Sequence, residues 1–266
     1  MTGTVYLVGA GPGAPDLLTL RAARLLESAE VVFYDALVHP ATLALAVRAE
    51  KIAVGKRCGR HSTAQRFINK RLVDAAQTHA TVVRLKGGDP MLFGRAQEEI
   101  GALEAAGVRC EVVPGVTAAL AASAELATSL TQRGVARSVA FVTPRVGDGE
   151  ASSDWVRSAI AADTVAIYMG AGQAAEIAAA LIAAGKPAAT PVALVESASL
   201  AESRAVFATL ASLPRVASRF SGPVVILLGS QYRARAQGEL NGATEASNRE
   251  ELSSPAPGRR AASSAA

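Results

Sequence analysis

Three stretches of the chain place glycine where a backbone must come close to a ligand. They are Gly9-Ala10-Gly11-Pro12-Gly13, Lys86-Gly87-Gly88-Asp89-Pro90 and Pro114-Gly115-Val116-Thr117. Lacking a Cβ, glycine lets the main chain approach a bound molecule without a clash. A strand, a glycine turn and a helix in succession make a nucleotide-site geometry. The first turn, Gly9-x-Gly11-x-x-Ala14, also meets the relaxed dinucleotide fingerprint, and Asp35 stands near the position of a ribose-binding acid. On these residues alone an NAD(P)-dependent dehydrogenase is a competing reading. Pro12 inside the loop and the two later glycine junctions, which a dinucleotide site does not need, stand against it.

Charged residues at element ends supply the other candidates. Asp35 ends a strand, Lys56-Arg57 follows Val54-Gly55 in a loop, and Arg133 lies in Leu130-Thr131-Gln132-Arg133-Gly134. Arg95 opens a helical stretch, where a cation opposes the helix dipole, whereas Glu98 and Glu99 suit the same first turn. Thr117 stands where a helix cap would, and Met169 reads as a core residue. His39, His61 and His79 show no ligand spacing. Cys58 and Cys110 are isolated, so reduced thiols and no structural metal are expected.

The elements that position these residues follow from apolar runs and their punctuation. Val5–Val8, Val31–Tyr34, Lys51–Val54, Thr81–Leu85 and Cys110–Val113 are short buried-type strands. A helical pattern begins at Asp16, another covers Leu43–Val47, and a third runs from the Ser62-Thr63-Ala64-Gln65 capping box to about His79. A helix from about Arg95 ends at Gly107, a good C′ residue. Alternation of strand and helix implies a parallel α/β sheet with right-handed crossovers. Thr128–Arg137 reads as a crossing segment to a second α/β unit. Its strands are Ser138–Thr143, Thr164–Met169, Pro191–Glu196, Ala205–Thr209 and Pro223–Leu228, with the last two expected to pair antiparallel. The expected division is an N-terminal α/β domain over 1–130, a C-terminal one over 131–232 and a disordered tail over 233–266, whose Ala/Ser/Gly/Glu/Arg composition has almost no apolar set to bury.

The 266 residues are half apolar, with a net charge of +4 and only four Tyr and six Phe. This mild basic balance, with no Lys/Arg block and few stacking rings, speaks against nucleic-acid binding. It is compatible with a polyanionic small substrate, and a non-enzymatic carrier of such a molecule is a further reading. No apolar run is long enough to span a membrane, and the first residues lack a basic signal region, so a cytoplasmic protein is expected.

Taken in order, VYLVGAGPGAPDLLTLRA, VVFYDALV, VGKR, VVRLKGGDPMLFGRAQEE, EVVPGVTAA, LTQRGVARSVAFVT, YMG and TPVALVES resemble the motifs of the tetrapyrrole (corrin/porphyrin) methylases over about residues 3–230. RLKGGDPMLFGR followed by LTQR narrows the resemblance toward members acting on uroporphyrinogen III rather than on later precorrins. The resemblance implies two α/β domains with a cleft between them, a homodimer, and S-adenosyl-L-methionine as methyl donor. The implied reaction is methylation at positions 2 and 7 to give precorrin-2, for sirohaem or cobalamin. By motif match, Pro12, Gly87, Gly88, Asp89, Leu92, Thr117, Ala118, Met169 and Ala198 line the donor site. Asp35 matches a proton acceptor and Lys56 a proton donor, while Arg95, Glu98 and Arg133 match substrate-site positions. Ala14, Ala36 and Ala198 depart from the residues commonest at their positions. The chain is expected to be without the dehydrogenase/chelatase module fused in some members of that family.

Overall fold

The computed structural model describes residues 2–54, 65–147 and 153–237. A first sheet contains β1 Thr4–Gly9, β2 Val31–Tyr34, β3 Glu50–Ala53, β4 Thr81–Lys86 and β5 Arg109–Val113. All its pairings are parallel, in the order β3-β2-β4-β1-β5. Helices α1 Leu20–Ser28 and α2 Pro40–Ala44 bring Ala22, Leu26 and Leu43 onto Val8, Val32, Val83 and Leu85. Helices α3 Gln65–Thr78 and α4 Ala96–Ala105 bring Leu72, Ala76 and Leu103 onto Val5, Leu7, Val31 and Val82 on the other face. Burial on both faces explains why these strands are continuous apolar runs rather than alternating ones. The chain leaves β1 toward one edge of the sheet and β4 toward the other. The reversal falls between these two neighbouring strands, and such a point opens a crevice at their carboxyl ends.

Helix α5 Ala118–Glu125 follows β5 but packs on a second sheet, with Ala119 and Ala122 against Ala166, Ala193, Val195 and Leu227. That sheet contains β6 Val139–Val142, β7 Thr164–Ile167, β8 Pro191–Glu196, β9 Arg204–Thr209 and β10 Val224–Leu228, ordered β6-β7-β10-β8-β9. Its other face is covered by α6 Trp155–Ala161, α7 Ala174–Ala183 and α8 Leu213–Ala217. The Pro114–Thr117 junction therefore sits at the joint between the two sheets, because the helix it feeds belongs by packing to the second core.

The structure changes several expectations. β9 and β10 do not pair with each other: each lies antiparallel to β8, and β10 also pairs with β7. β10 is buried on both sides, so its apolar run is that of an interior strand. Asp16 does not open a long helix. Pro15–Leu17 forms one 3-10 turn, and α1 starts at Leu20, with Thr19 Oγ1 accepting from the Ala22 N–H at 3.2 Å. The helix expected over Leu43–Val47 lies at Pro40–Ala44, since Pro40 presets the first helical φ. Residues 233–237, expected to be disordered, are helical, and Ala236 is 3% exposed. The remainder of that tail and the Ser62–Ala64 part of the capping box lie outside the described residues.

Candidate functional site

The three glycine junctions follow β1, β4 and β5, which are adjacent strands, so parallel pairing delivers all three turns to one edge of the sheet. Gly11 and Gly88 exchange backbone hydrogen bonds, Gly11 N to Gly88 O at 3.2 Å and Gly88 N to Gly11 O at 2.8 Å. A Cβ on Gly115 would stand 2.3 Å from Gly88 O, and one on Gly9 would stand 2.6 Å from Gly115 Cα. No side chain fits between these backbones. Gly88, at φ +67°, differs: a Cβ there would meet only Thr117 within 4 Å, at 3.8 Å. The turn thus presents bare backbone to open space, a cradle suited to a ligand that lies close to the main chain.

Asp89 braces this edge. Its carboxylate accepts from Gly115 N–H at 2.9 Å and from Met91 N–H at 2.8 Å. Pro12, Gly87 and Leu92 are half-buried around it. Thr117 is the residue before α5, but its hydroxyl does not cap the helix. It lies 2.7 Å from the Tyr168 hydroxyl, which also accepts from Ala119 N–H at 3.1 Å. Either hydroxyl can be the donor in the Thr117–Tyr168 bond. Burial raises the phenol above its ordinary pKa, so it stays protonated. Tyr168 directly follows β7, and this contact ties the second sheet to the glycine edge.

Phe93 and Phe141 flank Tyr168 at ring-centroid distances of 5.2 and 6.3 Å. Phe93, Phe141, Arg145 and Trp155 line a cavity of about 420 Å³ beside them. Met169, assigned to the donor site by motif match, is 45% exposed at φ +56°. Ala198 is 5% exposed and belongs to the core behind α5, while Ala118 packs at that core's margin. Left-handed non-glycine residues occur in the segments that follow β4, β7 and β8: Phe93, Arg95, Met169, Ser197 and Ser199. Such conformations cost energy and concentrate at functional sites.

Asp35 follows β2 and accepts from Arg84 Nη2 at 2.6 Å. Arg84 also reaches Glu99 Oε1 at 3.0 Å, and Lys86 reaches Glu99 Oε2 at 2.9 Å. Gln65 Nε2 gives Glu99 a further hydrogen bond at 3.1 Å. Glu99 is fully buried, so this is an interior ion network. Burial first, then the neighbouring Arg84, pulls the Lys86 ammonium below its ordinary pKa, against the opposing pull of Glu99 and Asp35. The sequence points to Asp35 and Glu98 as site residues, but gives Glu99 only as a first-turn acid, Lys86 only as the start of a glycine stretch, and Arg84 no role. The available signal was two cations two residues apart in an otherwise apolar strand, hence on one face.

Arg95 precedes α4 in a left-handed conformation, φ +55°. Its guanidinium grips Glu98 through two bonds of 2.6 and 2.8 Å. The hydrogen bond from Arg95 is the main reason that Glu98 titrates below the ordinary carboxylate range. Arg133 is exposed in the turn closed by Gln132 and Ala136, and no hydrogen bond joins it to Gly88, Asp89 or Thr117 among the described residues. Lys56 lies outside the described residues.

A family model described as Tetrapyrrole (Corrin/Porphyrin) Methylases matches residues 4–214. A siroheme synthase from Chromobacterium violaceum is 47% identical over 230 residues, which are 85% of this chain and 49% of that protein. One from Pseudomonas fluorescens is 46% identical over 237 residues, 88% of this chain and 51% of that protein. The chain spans about half the length of these curated relatives. The crystal structure of uroporphyrin-III C-methyl transferase from Thermus thermophilus complexed with S-adenyl homocysteine superposes with a TM-score of 0.77 at 43% identity, covering 87% of this chain and 100% of that one. A cobalt precorrin-4 methyltransferase superposes with a TM-score of 0.73 at 27% identity, covering 86% and 95%.

Proposed function

The chain belongs to the tetrapyrrole (corrin/porphyrin) methylases, and we propose that it is an S-adenosyl-L-methionine-dependent uroporphyrinogen-III C-methyltransferase. The reaction is methylation at positions 2 and 7 to give precorrin-2, in sirohaem or cobalamin biosynthesis. The observation that carries the reading is the convergence of Gly9, Gly88 and Gly115 on one edge, beside the Phe93–Tyr168 pair. A nicotinamide dehydrogenase is not favoured. Its fingerprint uses the first turn alone, whereas here all three turns interlock.

S-adenosylmethionine supplies an electrophilic methyl group, and the pyrrole carbon of the porphyrinogen is the nucleophile. The protein's work is then alignment and proton removal. Pro12, Gly87, Gly88, Asp89, Leu92, Thr117, Ala118, Met169 and Ala198 form the proposed donor site. Gly88 offers backbone there, and Asp89 acts through the loop it braces. Asp35, paired with Arg84, is the proposed proton acceptor, and Lys56 the proposed proton donor. An Arg stays protonated at physiological pH and makes a poor base. Arg95 and Arg133 therefore serve as anchors for substrate carboxylates through two-point pairing, with Glu98 setting the resting position of Arg95.

The proposed units are 1–130 and 131–232, with α5 bridging them by its packing. The proposed assembly is a homodimer in the cytoplasm; no described helix is long and apolar enough to cross a membrane. Anaerobic incubation with uroporphyrinogen III and methyl-labelled donor, followed by mass analysis, tests the reading. Two successive labelled methyl additions are expected. Methylation of a later precorrin without methylation of uroporphyrinogen III would assign the chain to a sibling activity. Binding of NAD without binding of adenosylhomocysteine would overturn the methylase assignment.

A further inference from the structure

One serine joins three pieces of chain at the edge of the glycine turns. Ser199, in the loop between β8 and β9, accepts on Oγ from the Ala14 N–H at 3.0 Å, across 185 positions of sequence. Its own N–H donates to Glu125 Oε2 at 3.0 Å. The Ser203 hydroxyl donates to the other oxygen of Glu125. Glu125 is the last residue of α5, where the negative end of the helix dipole disfavours a carboxylate. The two serine donors offset that penalty and fix the end of the helix. Next to Ser199, the Leu200 side chain fills the space over Gly13, 2.8 Å from where a Cβ would stand.

Ser199 holds φ +76° and Ser197 φ +52°. Glycine would take that conformation without strain. The side chain retained at residue 199 is the one whose oxygen holds the first glycine turn to the second sheet. Resting on the donor-site reading above, we propose that Ser199 is a positioning residue of that site. Its hydroxyl oxygen sets the Gly11–Ala14 turn against α5 and the β8–β9 loop, so donor affinity depends on it. Among the described residues the Ala14 N–H has no other acceptor, and losing its partner frees one end of a turn whose other end, Gly11, is bonded to Gly88.

Strain relief and donor affinity separate the proposal from a purely structural role. Ser199→Gly removes the acceptor and relieves the backbone together. Isothermal titration with adenosylhomocysteine is expected to show binding weakened about five- to tenfold, the effect of one lost hydrogen bond, with a melting temperature at or near wild type. Ser199→Asn tolerates the left-handed conformation and returns a carbonyl acceptor, so it should recover part of the affinity. Unchanged affinity in Ser199→Gly overturns the proposal while leaving the donor-site reading intact. Affinity and melting temperature falling together, with no recovery in Ser199→Asn, reduce Ser199 to a structural brace and also overturn it. Absence of adenosylhomocysteine binding in the wild-type protein overturns the donor-site reading itself, and this proposal with it.

Discussion

Arg84 Nη2 lies 2.6 Å from Asp35 Oδ1, and through the same guanidinium Arg84 also holds the buried Glu99. One cation therefore serves a partly exposed carboxylate at the end of β2 and a fully buried one in α4. The two ends of this arrangement differ in what they do for the protein. Removing Arg84 leaves Glu99 with Lys86 and Gln65 alone. Breaking a buried ion pair from one side costs about 3–5 kcal/mol, so urea denaturation of Arg84→Leu should show a loss of that order.

Asp35→Asn should behave differently. Glu99 keeps Arg84, so stability should move by no more than about 1 kcal/mol, as for a partly exposed pair. Turnover should fall by about 10²–10⁴, the usual contribution of a positioned proton acceptor. Single-turnover methyl transfer with donor and acceptor both saturating checks this. Wild-type turnover in a folded Asp35→Asn protein would remove Asp35 from the chemistry.

The glycine edge predicts a contrast between substitutions of the same kind. Gly115→Ala drives a Cβ to 2.3 Å from Gly88 O. Backbone must move there, and adenosylhomocysteine binding should be lost along with much of the stability. In Gly101→Ala the new methyl meets nothing within 4 Å, inside α4. That change should stabilise by about 0.5–1 kcal/mol through helix propensity, with donor affinity unchanged. Thermal melts and titrations of the two variants side by side give the comparison.

What the sequence made legible was whatever is local. Strand, glycine turn and helix announce themselves within about fifteen residues, so the parallel first sheet and its three junctions could be read directly. Whatever depends on partners far along the chain could not. β10 enters between β7 and β8, and nothing in its apolar run distinguishes a centre strand from an edge one. Helices α6 and α8, at seven and five residues, are too short to establish a period. Ser199 looks like any loop serine until Ala14 is beside it. The Thr117 hydroxyl, placed for a cap, is instead drawn to Tyr168 from the other sheet, a tertiary contact overriding a local preference. Arg84 and Lys86 were visible as charges in a buried strand, but only packing shows that both meet Glu99.

Cys110 gives a pH dependence with a fixed sign. Burial, followed by the nearby Glu104, Glu99 and Glu111, pushes its thiol from 9.0 up to about 11. Between those values the unfolded chain releases the proton while the folded chain keeps it. The unfolded state then binds fewer protons, and the linkage slope is negative. This contribution to stability is complete below pH 9 and is lost as pH rises toward 11. In a Cys58→Ser background, Cys110→Ala should flatten that part of the stability–pH curve, and Cys110 should alkylate slowly at pH 8 because little thiolate is present. Fast labelling in the folded protein would contradict the assigned burial.

The Arg95–Glu98 pair sets up a competition. Two Arg95 bonds go to Glu98, so a substrate carboxylate that uses the same fork must displace it. The pair is exposed, and exposed pairs are worth only about 0.2–1 kcal/mol, so displacement is cheap. If Arg95 anchors the octacarboxylate, Arg95→Ala should raise KM for uroporphyrinogen III about ten- to a hundredfold, from a lost charge-assisted bond of roughly 1.5–3 kcal/mol. Arg95→Lys keeps the charge without the planar fork and should fall between. Glu98→Gln weakens the competitor and should lower KM a few-fold. The opposite signs of Arg95→Ala and Glu98→Gln are the test. Adenosylhomocysteine affinity should stay at wild type in all three, because the glycine edge is built from other residues. Parallel losses in Arg95→Ala and Glu98→Gln would instead mean that the pair acts as a unit, with Glu98 holding Arg95 in its left-handed pose at the start of α4.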